Sequence, residues 1–321
     1  MAFKSTLRIC LVAGMGFSGL LHAQSYPSSP IRFVVPFPAG GVSDVAARVI
    51  GQKLTDRWGQ QVIVENRVGA GGTIGTALVA RAKPDGYTLL MGSSTELALN
   101  PNLYTKLAYD TTRDFVPLAL IGYSPLLVVV HPSLPVRSLM DLQALARARP
   151  GELNFASTGN GSTLHVGAEM FLGVAGVSMT HVPQTTFAQA SVISGETQVM
   201  FSSMPGAIGH VRAGKLRALA VTSATRFPAA PEFPTAIESG FPSVEIVIWL
   251  AAMAPAGTPS GVTEALSEAI LAALKQADVK KSFDNVGVEL TPRPPAELAN
   301  YLKSELAKFA KVIQSARIRL N

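Results

Sequence analysis

Residues 31–50, IRFVVPFPAGGVSDVAARVI, change hydrophobic period partway along, and two glycines stand at the change. Residues 32–36 have the apolar density of a short buried strand. From Ser43 onward Val45, Ala46, Val49 and Ile50 recur at helical spacing, with Ser43 as N-cap and Asp44 in the first turn. Residues 37–42 are therefore a strand-to-helix loop. Gly40 and Gly41 permit positive φ and close approach, so successive N–H groups can face outward beside the positive end of the helix dipole. Such a loop is either an ordinary turn of an α/β protein or a small anion site made of backbone.

The same design recurs at residues 154–171, NFASTGNGSTLHVGAEMF. Residues 154–156 read as a strand, 157–161 as a loop containing Gly159 and Gly161, and Ser162 as the cap of a helix carrying Leu164, Ala168 and Phe171. One glycine loop says little. Two of one design, one in each half of the chain, can face each other across a cleft and hold one anionic group from both sides.

The pattern around the first loop alternates. A strand at 62–65, a loop NRVGAGGTIG, a helix at 74–82 and a strand at 87–91 give β, α, β, α, β with short connections, the signature of a parallel sheet with helices on both faces. Ser93, Ser94 and Thr95 follow the third strand, at the carboxyl edge of that sheet near the first loop. From Phe115 the pattern restarts. Apolar runs at 117–121 and 126–130, a helix at 138–149, the second glycine loop, strands at 179–182, 199–201 and 217–221 and a helix ending at Ala213 make a second α/β unit. An apolar run at 244–254 carries the chain back to the first unit, and two long helices, 262–276 and 296–316, close it. The predicted fold is α/β with two lobes and a ligand cleft between them, lobe one being 25–121 plus 249–321 and lobe two 122–248.

Composition removes several classes of function. With 321 residues, 48% hydrophobic and 15% charged, the chain has the core for two domains and is not disordered. Residues 1–23 carry Lys4 and Arg8 before an apolar run at 9–21 and a small residue at Ala23, which reads as a cleaved export signal. An uncleaved anchor is the alternative, since Leu21 stands two residues before Ala23. The only cysteine, Cys10, lies inside that run, so the mature chain has no disulfide, thiolate metal site or cysteine nucleophile. The net charge of +6 is scattered, without the basic blocks that nucleic acid binding needs.

The motifs of cofactor chemistry fail residue by residue. GAGGTIG lacks the third glycine of the dinucleotide fingerprint because Ile74 occupies it, GNGSTL fails likewise at Leu164, and no phosphate-binding loop with its lysine occurs. Ser162 and His165 lie three apart on one helix face and could pair as nucleophile and base, yet no nucleophile elbow surrounds Ser162 or Ser157 and no orienting acid is nominated. His165 reads instead as a packed or ligand-side helix residue. His131, His181 and His210 are single and structural, with no metal spacing. Asp44 would repel an acidic ligand, so it reads as a helix-end charge or an orienter of groups that touch the ligand.

Across nearly all of the mature chain an ordered series of motifs resembles the Bug receptors, the periplasmic solute-binding proteins of tripartite tricarboxylate transporters. The series is PFPAGGVSDVAAR at Pro36, VENRVGAGGTIG at Val64, FASTGNGSTLHVGAEMF at Phe155, HVP at His181, GKLRALAVTSATR at Gly214, PT at Pro234, ESG at Glu238 and PAGTP at Pro255. The resemblance implies two lobes of periplasmic-binding-protein type joined by crossover strands. It also implies a ligand carboxylate held by main-chain N–H groups and hydroxyls of Phe37, Pro38, Ala39, Gly40, Gly41 and Ser43 on one side and Thr158, Gly159, Asn160, Gly161 and Ser162 on the other. The family's Tyr-Lys-Gly run after HVP is replaced by Gln184, Thr185 and Thr186, and the acid after MF by Ser202, which assigns Gln184 to the far end of the pocket.

The expectation is a periplasmic, monomeric receptor without cofactor, metal or catalytic residues, which binds a small organic acid and docks on membrane transporter subunits or on a sensor protein. Ligand contacts are expected from both loops, Asp44, Ser94, His165 and Gln184. A hydrolase centred on Ser162 and His165 is the rival reading.

Overall fold

A computed structural model describes residues 26–184, 188–285 and 287–316, with the side chains of the last two left aside. The 1–23 segment read as an export signal lies outside the described residues, as do Thr185 and Thr186. The first unit runs β1 (Ile31–Val35), α1 (Val42–Trp58), β2 (Val62–Asn66), α2 (Thr73–Ala80) and β3 (Thr88–Ser93). β1 lies between β2 and β3 and pairs with both in parallel, so the turns that follow all three strands gather at one sheet edge. A π-turn (Thr95–Leu99) and α3 (Asn100–Leu103) lead to β4 (Phe115–Val130).

The second unit comprises α4 (Leu139–Ala148), β5 (Asn154–Ser157), α5 (Thr163–Ala175), β6 (Thr180–Pro183), α6 (Ala188–Ile193), β7 (Val199–Ser203), α7 (Met204–Arg212) and β8 (Arg217–Val221). β5 pairs in parallel with β6 and β7, which repeats the arrangement of the first unit. The chain then returns in β9 (Val247–Pro255) and ends with α8 (Ser260–Leu274), α9 (Ala277–Asn285), β10 (Glu289–Arg293) and α10 (Pro295–Ala316).

One sheet order, β2-β1-β3-β9-β4-β7-β5-β6, connects the two lobes, with β8 and β10 also bonded to β4. β4 is the element that joins them. Its residues 115–125 pair with β9, and its residues 126–130 pair with β7 and β8. The sequence reads this strand as two runs because Gly122, Tyr123, Ser124 and Pro125 have turn composition. The strand instead passes through them, with register shifts absorbing the irregular residues. Gly122 is needed there for close approach, since a Cβ on it would lie 2.1 Å from the Glu289 carbonyl oxygen, and Ser124 Oγ donates to the Gly287 carbonyl at 2.7 Å. Crossing strand β9 carries Trp249, buried, whose Nε1–H donates to Glu305 Oε2 of α10 at 2.9 Å. The C-terminal helix is thereby tied to the crossing strands.

Candidate functional site

The carboxyl ends of β1, β2, β3 and β5 present four turns to the space between the lobes. The first turn lies between β1 and α1. The N-cap of helix α1 lies two residues earlier than its sequence suggests: Gly41, at φ −75° and ψ 169°, is the N-cap, and no side chain caps it. Ser43 is therefore inside the first turn and not the cap. The reason is Asp44, the third helical residue, whose Oδ2 reaches back to accept the Gly40 N–H at 2.9 Å. Gly40 adopts φ +80°, which only glycine takes without strain, whereas Gly41 has ordinary helix-cap angles.

Asp44 is 3% exposed and held from three sides. Arg48 donates Nε–H to Oδ2 at 3.0 Å and pairs with Oδ1 at 2.9 Å, while Asn66 Nδ2 donates to Oδ1 at 3.0 Å and to the Phe37 carbonyl at 2.9 Å. Burial is the largest single influence on this carboxyl and pushes its pKa up, but the hydrogen bonds from Arg48, Gly40 and Asn66 with the Arg48 charge outweigh it and hold the pKa below the ordinary value. The aspartate is a fixed anion that shapes the loop.

The second turn repeats this plan with different chemistry. Ser162 is the N-cap of α5 and its Oγ accepts from the His165 N–H at 3.2 Å. His165, again the third helical residue, reaches back through Nδ1 to accept the Gly161 N–H at 3.1 Å, and Gly161 has φ +75°. Upstream, the Gly159 N–H donates to Ser157 Oγ at 3.1 Å, and that oxygen is 2.7 Å from His181 Nε2. The rings of His165 and His181 stack with centroids 3.9 Å apart, and the Phe155 ring lies alongside the pair, its centroid 4.8 Å from His181 and 6.1 Å from His165.

These bonds also settle what His165 can do with Ser162. The Ser162 oxygen takes the backbone N–H of His165, while the ring presents Nδ1 to Gly161 and Nε2 to Glu169 Oε1 at 3.6 Å. Neither ring nitrogen addresses Ser162 Oγ.

Between the two turns lies the GAGG segment after β2. A Cβ on Gly72 would stand 3.0 Å from Phe37 Cζ of the first turn, and one on Gly71 would stand 3.3 Å from the Asn160 carbonyl of the second. Asn100 Nδ2 donates to the Gly71 carbonyl at 2.8 Å and keeps the segment there. After β3, three hydroxyls join the lobes: Thr163 Oγ1 is 3.1 Å from Ser94 Oγ and 2.7 Å from Thr95 Oγ1, and the Thr163 N–H donates to Thr95 Oγ1 at 3.3 Å. Ser94 is thus fully buried in an interlobe bond. Next to it Glu96 is buried, its carboxyl pushed up to about 8 by burial against the opposing bonds from Ser93.

Of the residues singled out in the sequence, Phe37, Pro38, Ala39, Gly40, Gly41, Ser43 and Asp44 are gathered in the first turn, and Thr158, Gly159, Asn160, Gly161, Ser162 and His165 in the second. Gln184 adjoins the second turn through its N–H, which donates to the Ser157 carbonyl at 2.9 Å. The N–H groups of Gly40, Gly159, Gly161 and Ser162 are engaged within the loops. Those of Ala39, Val42, Ser43 and Asp44 in the first turn and Thr158 and Asn160 in the second have no protein acceptor among the described residues. Missed in the sequence were Thr163, Asn100, Glu169 and the partnerships of Thr95 and His181, all defined by contacts across long separations except Glu169, which sits four residues after His165. Among the described residues no cluster of three or more His, Cys, Asp or Glu could hold a metal, and no helix is long and apolar enough to cross a membrane.

Two α/β lobes sharing crossover strands, with glycine turns opposed at helix N-termini in the cleft, define a solute-binding protein of the periplasmic class. Residues 46–318 match the family described as tripartite tricarboxylate transporter family receptor, and the chain belongs to it. BugT of Bordetella pertussis is 36% identical over 96% of this chain and 96% of its own length. Two solved structures are similar throughout: R. palustris Rpa4515 with adipate, at 33% identity, TM-score 0.89 and coverage of 92% of this chain and 99% of that one, and MatC from Rhodopseudomonas palustris with bound malate, at 31% identity, TM-score 0.85 and coverage of 90% and 100%.

Proposed function

We propose that this receptor captures a small organic acid by one carboxylate, gripped between the turn before α1 and the turn before α5, and presents it to the membrane subunits of a tripartite transporter. The observation that carries this reading is the group of unpaired main-chain N–H groups, Ala39, Val42, Ser43 and Asp44 on one side and Thr158 and Asn160 on the other, at opposed helix N-termini. Hydrogen bonds to a charged group contribute roughly 1.5 to 3 kcal/mol each, so four or five reach the roughly 8 kcal/mol of micromolar binding after ordering costs. No positive side chain is required. The relatives that hold adipate and malate support a ligand of this class.

In this reading lobe one is 25–121 plus 249–321 and lobe two 122–248, residues 1–23 are a cleaved export signal, and the receptor works as a monomer without turning its ligand over. Ser94, with Thr95 and Thr163, latches the closed form, and Gln184 lines the distal pocket where ligands differ. Thermal-shift screening with adipate, malate, tricarboxylates, aromatic acids and neutral sugars tests the assignment. At a hundred times its Kd a ligand stabilises by about 2.7 kcal/mol, so hits confined to compounds with a free carboxylate are expected. A hit with a neutral sugar and none with any acid would remove the carboxylate site.

A further inference from the structure

The second turn is shaped by two imidazoles, and its shape has a protonation requirement. For His165 Nδ1 to accept the Gly161 N–H, that nitrogen must keep its lone pair, so the ring is neutral with its proton on Nε2, the nitrogen turned to Glu169. A second proton has only Nδ1 to occupy, where it would confront the Gly161 N–H. His181 supports the neighbouring glycine indirectly, through Ser157 Oγ, which accepts from the Gly159 N–H and can donate to the Gly159 carbonyl when His181 Nε2 carries a proton, so this contact survives a change in that ring's charge. Gly159 and Gly161 flank Asn160, whose N–H is one of the donors on this side of the cleft without a protein acceptor among the described residues.

We propose that His165 and His181 are positioning residues for the ligand, a stacked pair that aims the Asn160 N–H into the cleft only while the His165 ring is neutral, so that carboxylate affinity weakens as His165 takes up a proton. This rests on the carboxylate reading given above. The surroundings of His181 favour its neutral form. Phe155 packs alongside the stack, and β5, β7 and α6 bring no titratable side chain. Glu169 on α5 is the acid beside the rings and faces Nε2 at 3.6 Å, on the side of the ring away from Gly161. The buried acid of α10, which packs on α5, is Glu305, and it is tied to Trp249 and Lys308. Glu96 of the neighbouring π-turn is bonded to Ser93. Burial, and after it the charge His165 would carry, pull the His181 pKa down to about 4 against a smaller opposite pull from Glu169.

The test has a ligand-free arm and a binding arm. In NMR of the free protein titrated from about pH 8 to about pH 4.5, spanning the ordinary imidazole range, the Gly161 amide resonance should move with the imidazole nitrogens of His165. A Gly161 resonance that stays still while the His165 ring takes up a proton would overturn the proposal. In calorimetry with adipate and malate, His165→Phe should lose at least about tenfold in affinity near neutral pH, the scale of one hydrogen bond, and His165→Asn, whose Oδ1 can still accept from Gly161, should restore most of it and lessen the acid loss. The acids' own titration is common to every variant, so the difference between variants reads the rings. Equal affinity and equal acid loss in all three proteins would also overturn it. If neither acid nor any other carboxylate binds the wild type at neutral pH, the proposed function fails, and the ligand-free arm still decides whether the rings position the turn.

Discussion

The turns before α1 and α5 solve one problem with two chemistries. In each, the residue at the third helical position reaches back four residues to hold a glycine N–H, Gly40 to Asp44 and Gly161 to His165, and in each that glycine has positive φ. The first turn uses a carboxylate with a guanidinium behind it and leaves its helix without a side-chain cap; the second uses a neutral imidazole and a serine cap. The lesson concerns charge. The first turn holds its aspartate with the charge compensated by Arg48 and directed at backbone, while the facing turn, where no cation is paired with its reach-back residue, holds its glycine with the lone pair of an imidazole nitrogen.

The largest expected effect removes what the two turns share. Gly40→Val and Gly161→Val place a β-branched residue at φ near +80° and +75°, and each should abolish measurable binding of every acid, a loss on the order of a hundredfold or more. Calorimetry on both variants reads the outcome. Retained binding in one and not the other would show that the grip is one-sided.

A smaller effect separates the chemistries by pH. Asp44 has a folded pKa below its ordinary value, so its contribution to stability is complete above about pH 4 and is lost only as pH falls through that lower folded value. His181 is also depressed, from 6.5 to about 4, so the stability due to its neutral form is present above about pH 6.5 and is lost as pH falls toward 4. The second turn should therefore weaken first. With His181 partly exposed and screened, the difference amounts to about 1 to 2 kcal/mol, a melting shift of a few degrees. His181→Phe should flatten the melting temperature between about pH 6.5 and pH 4.5, whereas Asp44→Asn should leave the slope in that interval unchanged. Equal slopes in the wild type and His181→Phe would count against the asymmetry.

The smallest effect lies in the caps. Ser162→Ala should cost about 1 kcal/mol by chemical denaturation, since its oxygen holds the His165 N–H. Gly41→Ser, introducing a cap at a residue that has cap angles and none at present, should gain only a few tenths of a kcal/mol. A larger gain at Gly41 would mean that the first helix is frayed at its start.

Much of this site is legible in the sequence because it is local. A glycine, a helix start and a reach-back residue sit within a few positions of each other, so the two loops, the Ser162 cap and the orienting character of Asp44 follow from spacing. The Ser43 cap was misassigned for a local reason too: an aspartate at the third helical position bonds the residue before the cap, and this moves the helix start back to Val42. What escapes the sequence is non-local. His181 meets Ser157 across 24 positions and Thr163 meets Thr95 across 68, and nothing in either segment's composition names its partner. α9 and β10 were passed over between the two long helices because each is short and mixes charged with apolar residues.

Strand β4 has a mechanical consequence. Because it is hydrogen-bonded to β9 and β10 on one stretch and to β7 and β8 on the next, neither lobe owns a complete sheet without it. Separating the lobes from each other would therefore tear both. In a scanning calorimeter the chain should melt as one cooperative unit, with calorimetric and van't Hoff enthalpies equal, and an acid bound at the two turns should raise the melting point of the whole molecule, not of a single half.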